Sequence, residues 1–198
     1  MGCDIHCKTY VRDARTGRMV SIGEMFEDGG ALDSVVGDRD YDLFGAFGNS
    51  VRSWYPEFDC LKEGLPEFMS GTIAGKLAMD RDYHTRRHCT FADLKAEIPM
   101  YVERLKDPKK WVEKYGEGDD FYDSAAEGEI SAEDYVGTHR YMIDSLENLL
   151  VRIRDFEDSL RGYFDNERDN RSFGGDADEK PDFGLDLGDI VLVTWMDN

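Results

Sequence analysis

The chain reads as an α+β domain, a small antiparallel sheet that pairs an N-terminal hairpin with a C-terminal strand and is packed by long helices. Three observations predict it. Residues Cys3 to Asp13 alternate and are rich in Thr, Tyr and Val, and a turn over Ala14 to Arg18 leads into Met19 to Ile22. Residues Ser131 to Leu160 carry Tyr135, His139, Met142, Leu146, Leu149, Ile153, Phe156 and Leu160 at spacings of four and three. Ile190 to Trp195 is a short apolar run bounded by Gly188-Asp189.

Each element follows from its period and its punctuation. Alternation places successive side chains on opposite faces of a strand, so Cys3 to Asp13 and Met19 to Ile22 form a β-hairpin. Asp28-Gly29-Gly30 breaks the chain, and Arg39 to Phe47 is a short helical or turn segment with aromatic anchors. Gly48 to Pro66 has no period and reads as loop, whereas Ile73 and Leu77, four apart, suggest a short helix over Ser70 to Met79. Thr90 and Asp93 form a capping box ahead of a stripe of Phe91, Leu94, Ile98, Val102 and Leu105, with Pro99 expected to bend or restart that helix. Lys109 to Lys114 adds a further turn or two before Gly116-Glu117-Gly118. The stripe from Ser131 to Leu160 predicts one amphipathic helix of about 45 Å ending at Gly162, followed by an acidic loop over Asp165 to Asp189 and a strand over Ile190 to Trp195. No repeat or linker divides the chain, so residues 1–198 are expected to form a single domain.

Composition narrows the function classes. A content of 40% hydrophobic and 12% aromatic residues suffices for a core. The formal charge of −19 repels nucleic acid and anionic membranes and so opposes nonspecific nucleic-acid binding, and it suits plain solubility, a basic partner protein or a divalent cation. No stretch approaches the roughly 18 apolar residues of a membrane helix, and the N-terminus lacks the basic region and apolar run of a secretory signal. His6 stands where a myristoylation signal needs Ser or Thr. A cytoplasmic setting without a membrane partner is therefore expected. Cys3, Cys7, Cys60 and Cys89 lack paired spacing and read as free thiols.

The polar groups that suggest chemistry gather at the chain ends and before the capped helix. On a strand, Asp4 and His6 share a face, and a carboxylate beside an imidazole begins a metal site or an acid/base pair. Asp82-Tyr83-His84, with Arg86, Arg87 and His88, precedes a helix N-terminus, a place that favours a phosphate. Asp197 adds a carboxylate at the end of the last strand. His139, on the apolar seam, reads as a hydrogen-bonded core residue. There is no P-loop, no Gly-x-Ser-x-Gly and no dinucleotide fingerprint. Asp4-Ile5-His6, Gly37-Asp38 and Gly48-Asn49 follow the order of metal ligands in calcineurin-like phosphoesterases, but a hairpin follows directly and Gly-Asn-His is missing.

The segments Met1-Gly2-Cys3-Asp4-Ile5-His6, Arg39-Asp40-Tyr41-Asp42-Leu43-Phe44, Asp82-Tyr83-His84-Thr85, Thr90-Phe91-Ala92-Asp93-Leu94 and Val193-Thr194-Trp195-Met196-Asp197-Asn198 occur in this order. Together they resemble an uncharacterised group of phage and prophage proteins that begin Met-Gly-Cys-Asp-Ile-His and end in an aromatic-rich strand closed by Asp-Asn. Met196 replaces an aromatic residue usual in that group, and Tyr10 stands near a usual acidic one. The resemblance implies a phage accessory protein acting in the host cytoplasm, where such proteins modify nucleotides or disarm host defence. Two functions are carried forward. One is a metal-dependent hydrolase of a phosphate ester or nucleotide, in which Asp4, His6, His84 and Asp197 hold a divalent metal ion, Arg86 and Arg87 steady the phosphate and His88 is a general acid. The other is a noncatalytic phage protein directed at host defence, which engages a basic host protein through its acidic surface or sequesters a nucleotide in a ligand pocket.

Overall fold

A computed structural model describes residues 5–13, 16–21, 41–48, 55–71, 75, 76, 79, 83–169 and 190–197. Strands β1 (Ile5–Arg12) and β2 (Met19–Ser21) form the expected hairpin, with Tyr10 opposite Ser21 and Arg12 opposite Met19. The turn closes through Gly17 N–H donating to the Asp13 carbonyl at 2.7 Å and Asp13 N–H donating to the Arg18 carbonyl at 2.8 Å. After helix α1 (Tyr41–Ala46) come β3 (Lys62–Glu63), a 3-10 turn over Glu67–Met69, and β4 (Tyr83–Thr90). Helices α2 (Phe91–Lys106), α3 (Pro108–Tyr115), α4 (Asp120–Glu127) and α5 (Ala132–Asp169) follow, and β5 (Val191–Asp197) completes the sheet.

The five strands are antiparallel to their neighbours in the order β2-β1-β5-β4-β3. The expected pairing of N-terminal hairpin and C-terminal strand is present, with His6 opposite Trp195 and Tyr10 opposite Val191. On its other side β5 pairs with β4, a polar strand that lacks the apolar alternation of β1 and leads directly into α2. Register partners share a face, and the two faces are buried differently. Val11, Cys89, Leu192 and Met196 pack on the helices, while Tyr10, Val193 and Trp195 form a second, smaller cluster with Met69 of the 3-10 turn.

The helices form where caps and apolar stripes coincide. Thr90 Oγ1 accepts the Asp93 N–H at 3.1 Å, so the capping box starts α2 as expected. Pro99 removes one backbone donor, yet α2 continues to Lys106 without restarting. Ser131 Oγ accepts the Asp134 N–H at 3.1 Å ahead of α5. All eight apolar-seam residues from Tyr135 to Leu160 are buried, and Leu146, Leu149 and Ile153 join Phe91, Leu94 and Ile98 of α2 in the main core.

Two boundaries differ from the sequence reading. Helix α5 runs through Gly162 to Asp169, about 57 Å for its 38 residues. A helical glycine costs only about 1 kcal/mol, less than a long packed helix recovers elsewhere. Residues 120–127 are helical because Asp119 Oδ1 accepts the Phe121 N–H at 3.0 Å and Gly128, at φ 88°, supplies the left-handed terminus. Among the described residues no helix is long and apolar enough to cross a membrane.

Candidate functional site

The middle three strands bring the chain's distant polar segments to one end of the sheet. β1 begins there, β5 ends there and β4 begins there: Ile5 and His84 both pair with Met196, His6 pairs with Trp195, and Tyr83 pairs with Asp197. Adjacent strands lie about 4.8 Å apart, so the backbones of His6, His84 and Asp197 are gathered within roughly 10 Å. Asp4 lies outside the described residues, as do the side chains of His84 and Asp197. By their register, His6 and Asp197 share the face of Trp195, whereas His84, opposite Met196, belongs to the face turned to the helices. The His6 ring is half-buried and stacks on Trp195, with centroids 6.0 Å apart and planes 16° apart. Among the described residues, no three His, Cys, Asp or Glu side chains stand together as a metal-binding group.

Strand β4 departs from regular pairing at this end. Its register against β5 shifts between His84 and Arg87, and Thr85 adopts φ 50°. A β-branched residue in the left-handed region costs about 1–2 kcal/mol, so its surroundings must impose the conformation. A bulge of this kind twists a strand and re-aims the residues beside it. Past the bulge the register resumes with Arg87 opposite Thr194, and His88, opposite Val193, lies on the same face as Trp195.

His88 is half-buried, and its Nδ1 lies 3.0 Å from the Gly64 carbonyl. A carbonyl oxygen only accepts, so Nδ1 carries the proton in this bond, and Nε2 is left as the nitrogen able to exchange a proton. Arg87 is committed locally. Its Nε donates to Glu57 Oε2 at 2.8 Å, Nη2 to Glu57 Oε1 at 3.0 Å, and Nη1 to the Arg86 carbonyl at 3.0 Å. The Glu57 carboxylate raises the Arg87 pKa further. Arg86 is half-buried, and its carbonyl also accepts the Gly64 N–H at 2.9 Å. Glu57, Gly48 and Gly64 all fall in the stretch read as loop, where no periodicity marks them.

The other conspicuous polar groups are held in the core. His139 is 2% exposed, and its Nδ1 shares a 3.1 Å hydrogen bond with the Tyr55 hydroxyl. Its ring lies between 4.7 and 6.1 Å from those of Tyr55, Trp111, Phe121, Tyr122 and Tyr135. Burial pushes its pKa down to about 4, so the ring is neutral at pH 7. The Glu97 carboxylate accepts the backbone N–H groups of Asp59 and Cys60, the latter at 2.7 Å, tying the 55–61 segment to α2. Cys7, Cys60 and Cys89 are free thiols as expected, and the neighbouring Cys89 thiol, then burial, push the Cys60 thiol upward.

No protein-family model, curated protein or solved structure matches this chain.

Proposed function

We propose that the end of the β1-β5-β4 sheet binds a divalent cation through His6, His84 and Asp197, with Asp4 completing the set, and that the chain hydrolyses a phosphate ester there. The observation that carries this reading is the meeting of His6, His84 and Asp197, drawn from three distant parts of the sequence, at one end of three paired strands. The reading requires that His84, which pairs on the face opposite His6, reach round the strand end beside the bulge. A bound cation lowers the pKa of its water and makes hydroxide available near neutrality. Held there, the cation would supply a nucleophile toward phosphorus, and His88 Nε2, which carries no proton while Nδ1 does, would take the proton of the attacking water and pass it to the leaving oxygen as the P–O bond to the alcohol breaks. Arg86 steadies the phosphate. Arg87, closed on Glu57, takes a structural part in this scheme.

The test is cation content followed by activity. The purified chain should retain close to one equivalent of a divalent cation and cleave a p-nitrophenyl phosphate ester, and His6→Ala should lose both while remaining folded by circular dichroism. A wild-type chain that binds Mn2+, Zn2+ and Mg2+ no better than the His6→Ala variant would overturn the reading.

A second reading has its own support. Between Lys114 and Arg140 the chain carries Glu117, Asp119, Asp120, Asp123, Glu127, Glu129, Glu133 and Asp134 and not one Lys or Arg. All but Asp123 are exposed, on α4, the start of α5 and the turns that flank α4. Such a surface favours a basic protein partner, in keeping with an inhibitor directed at a host protein. Salt-sensitive binding of a lysine-rich protein, lost when Asp119, Asp120 and Glu127 are replaced by Asn and Gln, would support it.

A further inference from the structure

We infer that Glu57, Arg87 and Gly48 form a clamp that holds the β4 bulge, and so act as positioning residues for the strand end; the inference rests on the cation-site reading above. Three segments distant from β4 in sequence converge on the bulge. Glu57 takes both Nε and Nη2 of Arg87, while Nη1 of the same guanidinium returns to the Arg86 carbonyl inside the bulge. Gly64 N–H donates to that same carbonyl from β3's side. Gly48 presses from above: a Cβ added there would stand 3.0 Å from Thr85 Cγ2, 3.2 Å from Arg87 Nε and 3.2 Å from Glu57 Oε2. Gly48 is also at φ 104°, so a side chain is opposed by its backbone as well as by its neighbours.

These contacts account for a conformation that Thr85 would not adopt unaided. Only a planar fork with several donors reaches a carboxylate and a backbone carbonyl together, which singles out Arg at position 87. The bulge in turn fixes where Tyr83 and His84 pair on β5, since a slip of one residue moves a strand's side chains to the opposite face. The ion pair is partly exposed, with side chains 17% and 38% accessible, so its removal should alter local geometry far more than global stability.

The experiment uses the full chain with Glu57→Gln and, as a second variant, Arg87→Lys, which keeps the charge but has one donor nitrogen in place of three. Amide hydrogen exchange and Co2+ titration by visible absorption are measured in parallel. In both variants the amides of residues 83–86 should exchange at least ten-fold faster, while those of Cys89, Thr90 and the α5 core keep wild-type rates. The Co2+ affinity should fall at least ten-fold with an altered absorption band, and Glu57→Asp should recover part of both losses. Unchanged exchange at 83–86, or the same acceleration throughout the sheet, would overturn the clamp. If the wild-type chain takes up no Co2+, the cation site fails, and the exchange rates alone decide the clamp.

Discussion

His139 and His88 occupy contrasting surroundings. His139 sits on a helix, nearly inaccessible, among five aromatic rings, with a tyrosine hydroxyl on Nδ1 and, among the described residues, no hydrogen-bond partner on its buried Nε2. His88 sits on a strand, half-buried, with Nδ1 fixed by a backbone carbonyl. Burial makes the first a neutral packing element, whereas the second is held at Nδ1 and stays partly open to solvent. The same division runs through the molecule: the helical layer spends its polar groups on caps and core hydrogen bonds, and the strand end concentrates histidines, guanidiniums and an unfavourable backbone conformation.

The largest expected effect tests the helical side of that contrast. Leu149→Ala should lower unfolding free energy by about 2–5 kcal/mol in urea titration, because Leu149 is fully buried between α5 and α2. A loss below about 0.5 kcal/mol, the scale of surface substitutions, would show that the seam is not packed as described.

The pH dependence comes next. His139 has a folded pKa of about 4, below the unfolded value near 6.5, so the unfolded chain binds the proton first as pH falls. Its contribution is therefore present above about pH 6.5 and is lost progressively down to about pH 4, by up to roughly 3 kcal/mol at 1.36 kcal/mol per pKa unit. His139→Phe should remove this component, which the difference between the two stability profiles isolates. Parallel profiles for wild type and variant would break the contrast by showing that His139 titrates normally.

Smaller effects sharpen it. Thr90→Ala deletes the side-chain acceptor at the start of α2 and should cost about 1 kcal/mol by thermal unfolding. His6→Ala should cost about 0.5–1.5 kcal/mol, the scale of its stacking on Trp195, while abolishing cation uptake. If cation content instead stayed intact while stability fell, the strand end would belong with the packing elements.

The helical layer was largely legible because its requirements are apolar and periodic. The α5 seam, the Thr90 cap and the alternation of β1 each follow from the spacing of a few residue types, and the burial of Tyr135 through Leu160 agrees with it. β4 was not, although it is an inner strand. Tyr83-His84-Thr85-Arg86-Arg87-His88 shows no apolar alternation, because Glu57 and the Gly64 backbone satisfy polar groups that a sequence pattern assigns to solvent. Helix α4 carried a readable signal in Asp119 and Gly128, obscured by its acidic composition. At the strand end, proximity of β1 and β5 was foreseeable, but the register offset of His84 depends on a bulge whose supports lie in an aperiodic stretch.

The place of β5 also governs the order in which the molecule can assemble. Val191–Asp197 fills the gap between β1 and β4, yet it leaves the ribosome long after both. At roughly 5–20 residues per second, β1 waits about 10–40 s for the neighbour that covers its free edge. A two-stranded hairpin is marginal by itself, so the β1-β2 pair has little independent permanence during that interval. The local contacts of α2 and α5 can form early, leaving the sheet to close by a long-range event that is intrinsically slow. During synthesis the exposed strand edges are therefore the segments most open to chaperones and to pairing between nascent chains.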